Sequence, residues 1–133
     1  MLGADISEVG WPKCGEIDIL EYVGKNPNQV FFSLHTPDSH GNTVNTETNK
    51  IEYIEEGFHI YEVNWDAEKI SFYVDSKHQD TFNPTNKTEG VWPFNKDFYL
   101  ILNTAVGGNF GGNEINDSVL PQNFIIDYIK VYQ

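Results

Sequence analysis

Cysteine is almost absent from this chain, and the single Cys14 has no second thiol to join. An internal disulfide is excluded, so packing alone must hold the fold. Cations are nearly as scarce: 8 Lys+Arg stand against 20 Asp+Glu, a formal net charge of −12. That field repels phosphates and anionic headgroups, which argues against nucleic acid and membrane surfaces as partners. A neutral polysaccharide meets no such barrier. No apolar run approaches the length of a membrane-spanning helix, and no basic stretch followed by an apolar segment opens the chain as a signal peptide would. His35, His40, His59 and His78 lack zinc-ligand spacing. The apolar period of a helix is missing as well, so almost no helix is expected.

What is abundant is strand chemistry. Aromatics make up 14% of the 133 residues, among many Val, Ile and Thr and scattered Gly and Asn. Strand-like segments run over Glu16–Tyr22, Val30–Thr36, Phe58–Trp65, Lys69–Asp75, Phe98–Val106 and Phe124–Tyr132. The short turn Asp66-Ala67-Glu68 joins the third and fourth as a hairpin. Two long polar connections, Pro37–Lys50 and Gly107–Pro121, are expected to be loops that line a binding site. One all-β domain over residues 1–133 is expected, a β-sandwich or jelly roll.

The informative stretch is Cys14-Gly15-Glu16-Ile17-Asp18-Ile19-Leu20-Glu21-Tyr22. Side chains alternate along a strand, so Glu16 and Asp18 share a face while strict alternation turns Glu21 away. A β-bulge at Ile19-Leu20 counts two residues as one and returns Glu21 to the face of the other acids. Three adjacent carboxylates repel one another and do not stabilise a fold. They are either an exposed strand's solvated acids or the paired carboxylates of glycoside hydrolysis. Across the bulge the Glu16 and Glu21 Cα atoms would stand roughly 13 Å apart. Inward-leaning side chains can narrow that to the ~5–5.5 Å of a retaining mechanism. Asp18, between them, can hydrogen-bond either and couple their titrations.

The run GWPKCGEIDILEY (Gly10–Tyr22) resembles the signature of glycoside hydrolase family sixteen in the bulged form typical of laminarinase-like endo-β-1,3-glucanases. NTAVGGNFGG (Asn103–Gly112) and DYIKVYQ (Asp127–Gln133) are similar to later segments of those enzymes, in the same order. The resemblance implies a two-sheet, concanavalin A-like jelly roll and a retaining endo-hydrolase of β-1,3-glucan or mixed β-1,3-1,4-glucan. It implies Glu16 as nucleophile, Asp18 as its assistant and Glu21 as acid/base. It also implies a secreted or periplasmic location and no required cofactor. Family domains are much longer, and Met1-Leu2-Gly3 resembles a point just before the catalytic strand, so the chain reads as the C-terminal half of the domain. Early strands would then be missing, apolar residues around Phe72 and Phe98 would lie open, and free sheet edges would drive self-association. A non-catalytic β-glucan-binding module and an inactive fragment are the competing readings.

Other residues carry weaker signals. Trp11 sits in a Gly-Trp-Pro turn, a poor place to bury an indole and a good one to stack on a sugar face. Trp92 can stack likewise or pack under a loop, and Trp65, inside an alternating strand, is expected in the core. His35 is either a satisfied surface histidine or, as its match to a family position implies, a site residue beside the catalytic strand. Asn103, placed mid-strand against its propensity, suggests a hydrogen bond to a sugar hydroxyl, and Gly107-Gly108 would let a ligand approach the backbone. The resemblance implies that Asp127 helps bind a structural calcium, which takes six to eight oxygens.

Overall fold

A computed structural model describes all residues, Met1–Gln133. The chain divides into two compact units, Met1–Ile101 and Leu102–Gln133.

The first unit is built almost wholly from antiparallel strands. They are β1 (Leu2–Gly3), β2 (Glu16–Glu21), β3 (Gln29–His35), β4 (Thr46–Lys50), β5 (Tyr61–Trp65), β6 (Ile70–Val74), β7 (Lys77–Phe82) and β8 (Phe98–Tyr99). One sheet has the order β4-β3-β2-β1-β8 and the other β5-β6-β7. The only helix here is the four-residue α1 (Ile6–Val9).

Alternation builds the core. Ile17 of β2, with Val30, Phe32 and Leu34 of β3, faces Ile70, Phe72 and Val74 of β6. The Phe32 and Phe72 rings meet at 5.4 Å between the sheets. Ile54, Trp92 and Phe94 close the core from the connections. Each such side chain, fully buried, contributes about 1.5–3 kcal/mol.

The short Asp66 turn does join β5 to β6: Trp65 pairs with Ile70. Asp66 Oδ1 accepts from the Glu68 and Lys69 amides at 2.7 and 2.9 Å. Trp65 is partly buried against the core, and its Nε1–H donates to Phe94 O at 3.1 Å. Trp92 is 4% exposed and stacked on Phe82, so it packs under its loop.

Several expectations are corrected. Phe72 is 1% exposed and Phe98 packs against the core, because the two sheets close on each other. The segment Pro37–Lys50 is not all loop, since it ends in β4. That strand lies at a sheet edge with mostly exposed side chains, which removes any apolar alternation from its sequence. Strand β7 follows β6 through Asp75-Ser76, whose φ values of 49° and 62° are those of a tight hairpin turn.

Strand structure over Phe98–Val106 stops at Tyr99. In the second unit, Phe124–Tyr132 is extended in composition only and forms no ladder. Propensity marks a segment that fits a sheet, but a strand exists only where a neighbour takes its backbone groups. The unit's regular elements are a helical turn, α2 (Gly108–Gly111), and a 3₁₀ turn at Asp117–Val119. Gly107 and Gly108, with φ of 72° and 89°, form the left-handed entry to α2. Phe124, Ile125, Tyr128, Val131 and Tyr132 are exposed.

Candidate active site

The register of β2 against β3 decides the geometry. Glu16 lies opposite His35, Asp18 opposite Ser33 and Glu21 opposite Phe31, with the register shifting between Asp18 and Glu21. Three steps along β2 are thus matched by two along β3. Phe31, Ser33 and His35 share a face by simple alternation, so Glu16, Asp18 and Glu21 share it too. The bulge expected at Ile19-Leu20 is present, and Ile17 points the other way into the core.

The turn before β2 fixes where the strand begins. Gly15 has φ of 73°, and a side chain there would meet Pro93, Phe98 and Phe94 at 3.1–3.4 Å. Gly3 lies so close to β2 that an added Cβ would stand 2.0 Å from Cys14 O. Only glycine fits both places.

Each acid has its own partner. Glu16 Oε2 accepts the Trp11 Nε1–H at 2.7 Å. Glu21 Oε2 accepts the Ser33 hydroxyl at 2.7 Å, and Ser33 Oγ lies 3.1 Å from Thr46 Oγ1 on β4. Asp18 Oδ2 lies 3.2 Å from His35 Nε2. That contact is within ion-pair range but misaligned, which leaves Asp18 Oδ2 buried without a hydrogen bond. His35 Nδ1 accepts the Gly41 amide at 3.2 Å, so the neutral ring carries its proton on Nε2, toward Asp18.

These surroundings shift the titrations. Burial pushes the Glu16 carboxyl above its ordinary pKa and Asp18 repulsion adds to that, while the Trp11 hydrogen bond and His35 oppose it. Burial likewise raises Glu21, against the Ser33 hydrogen bond, with Asp18 and Glu16 adding repulsion. For His35, burial disfavours the imidazolium, but Asp18, Glu16 and Glu21 outweigh it and hold the pKa above 6.5. Burial therefore holds both glutamates above the ordinary carboxyl pKa.

Trp11, His35, Glu16, Asp18 and Glu21 form one cluster. The Trp11 indole, 44% exposed, lies beside the His35 ring at 5.8 Å. Asn103 and Asp127 belong to the second unit, and both are exposed. Asn103 is not mid-strand, because β8 ends before it. Glu16, Asp18 and His35 are near enough to one another to hold a cation, whereas no group of three such ligands includes Asp127. Sequence reasoning missed Ser33 and Thr46. The alternation Phe31, Ser33, His35 was the available signal for Ser33, while Thr46 sits in a polar edge strand that gave none.

A β-sandwich that displays two glutamates and an intervening aspartate across a bulge has the architecture of a glycoside hydrolase. The chain belongs to glycosyl hydrolases family 16, whose family model matches residues 4–129. A solved laminarinase from Flavobacterium sp. UMI-01 is 57% identical with a TM-score of 0.89, over 90% of this chain and 52% of that one. A beta-glucanase from Rhodothermus marinus is 33% identical over 132 residues, which cover 92% of this chain and 46% of the relative. A beta-1,3-glucan-binding protein from Penaeus monodon is 32% identical over 133 residues, covering 76% of this chain and 35% of the relative. The chain thus spans about half the length of the laminarinase and the beta-glucanase.

Proposed function

We propose that this chain carries the catalytic strand of a retaining endo-hydrolase of β-1,3-glucan or mixed β-1,3-1,4-glucan. One observation carries the reading: the bulge in β2 gathers Glu16, Asp18 and Glu21 on a single face. Glu21, its pKa raised by burial, protonates the departing glycosidic oxygen. Glu16, oriented by the Trp11 N–H, attacks the anomeric carbon and forms a glycosyl ester. Glu21 then takes a proton from water, which cleaves the ester and restores both carboxyls. Asp18, between them, positions Glu16 and is itself faced by His35. Trp11 offers part of its exposed ring to a sugar face, and Asn103 offers an amide to a sugar hydroxyl. The laminarinase and beta-glucanase names of the relatives support β-glucan as substrate. Reducing-sugar release from laminarin tests the proposal, and no release by the intact polypeptide would overturn it.

The glucan-binding relative supports a second reading, binding without cleavage. Retention of laminarin on the protein with no new reducing ends would establish it.

No cofactor enters this chemistry. For calcium, Asp127 is a contributing ligand only, since one carboxylate supplies at most two of the six to eight oxygens the ion takes. Loss of thermal stability on EGTA treatment, abolished in Asp127→Ala, is the corresponding test. An extracellular or periplasmic location follows from a polymeric substrate, and fractionation of the source cells checks it. Self-association is proposed through the edge strands and the exposed apolar side chains of residues 124–132. Light scattering coupled to size exclusion would show a mass above that of one chain, and a monomer would refute it.

A further inference from the structure

Trp11 is nearly half exposed, yet its indole must hold one orientation to donate to Glu16. The His40 ring meets the indole edge-on, with centroids 5.3 Å apart and planes at 86°.

His40 is itself tied down. Its Nδ1–H donates to Thr36 O at 3.3 Å. The Thr36 and Ser39 backbones pair as an isolated bridge, and Ser39 Oγ meets Thr43 Oγ1 at 3.0 Å. Thr43 Oγ1 donates to Leu34 O at 2.9 Å, which anchors the loop to β3. Asp38 N–H donates to Gly90 O at 2.9 Å, and Gly41 N–H reaches His35. A loop with this many internal bonds holds the imidazole in one place.

We infer that His40 is a positioning residue, which fixes the Trp11 indole at the angle from which its N–H reaches Glu16. The inference rests on the proposed role of Glu16 for its catalytic consequence, but the positioning itself does not require hydrolysis. The order of the Thr36–Asn45 loop is thereby transmitted through His40 and Trp11 to the nucleophile. The charged side chains that face Glu16 are Asp18, His35 and Glu21. None of them replaces the indole N–H, which stabilises the ionised carboxyl.

The test uses the indole resonances in a ¹H–¹⁵N correlation spectrum. Trp65 and Trp92 donate to a backbone carbonyl and an amide oxygen, so only Trp11 reports on a carboxylate. In the wild type, the Trp11 Nε1–H signal should lie downfield and titrate with Glu16. His40→Ala should remove at least half of that titration and move the acid limb of hydrolysis up by about half a pH unit. His40→Phe keeps an aromatic edge against the indole and should restore both. Val44→Ala, on the same loop but exposed, should change neither. If laminarin is not cleaved, the spectrum still decides the inference, and only the hydrolytic reading falls. A Trp11 signal that titrates identically in His40→Ala, or that does not titrate in the wild type, overturns it.

Discussion

The Ser33 hydroxyl donates to Glu21 Oε2 at 2.7 Å from a position directly opposite Asp18. This bond favours the ionised carboxylate, against the burial that raises the same group. Removing the hydroxyl takes away the larger opposing contribution and leaves only His35 against burial. Ser33→Ala should therefore raise the Glu21 pKa further and shift the alkaline limb of kcat/KM upward by about 0.5–1 pH unit. A downward shift would show that Glu21 does not set that limb.

Retention of anomeric configuration is expected, with the β anomer appearing first in an NMR time course. Glu16→Ala and Glu21→Ala should each lose at least about 10³-fold in kcat. Azide should then give an α-glycosyl azide with Glu16→Ala and a β-glycosyl azide with Glu21→Ala on an activated substrate. Products of the opposite stereochemistry would mean the two roles are exchanged.

Both glutamates have folded-state pKa values above the ordinary 4.5. A raised carboxyl favours folding while it is protonated, and that contribution is lost as pH rises through the folded pKa. At neutral pH the ionised pair therefore destabilises the fold. Glu16→Gln and Glu21→Gln should each stabilise it at pH 7, by on the order of 1 kcal/mol or less. The gain should vanish near pH 4, where the wild-type carboxyls are protonated. Urea unfolding at the two pH values measures this, and equal effects at both would rule out charge repulsion as the cause.

Away from the site, His59 Nδ1 lies 2.7 Å from Asp75 Oδ2, while Nε2 faces the carbonyls of Tyr53 and Glu56 at 3.1 Å. Both nitrogens meet acceptors, so only the imidazolium satisfies all of them. The Asp75 hydrogen bond holds the His59 pKa above 6.5, and the same bond holds Asp75 below 3.8. The stabilisation is complete below 6.5 and fades as pH rises through the raised His59 pKa; at the acid end it fades as Asp75 protonates. His59→Gln should lower Tm by about 1–3 °C at pH 5–6 and have little effect at pH 9. The reverse order in a thermal-melt series would contradict the doubly donating ring.

The sandwich and its bulged acidic strand β2 were legible because their signals are local. Alternation around Ile17, Phe32 and Phe72 marks buried faces, and three acids at uneven spacing admit only a bulge if they are to meet. Edge strand β4 was hidden by its exposure, and β7 by a turn written Asp75-Ser76 rather than Asn-Gly. Phe124–Tyr132 misled in the opposite direction. Its composition suits a sheet, but pairing is a property of two segments and cannot be read from one. Ser33 was visible on the right face, though nothing in the sequence said that its hydroxyl would reach Glu21 rather than solvent.

The two-for-one count in β2 also has a consequence for insertions and deletions. Five positions separate Glu16 from Glu21, an odd number that the bulge makes behave as even. Losing one codon, for Ile19 or Leu20, would leave four positions and no bulge, and both glutamates would still share a face. Losing both codons would send Glu21 to the opposite side. Descendants of this strand can therefore lose one residue here without a change of parity, and a deletion series should read out as activity kept, then abolished.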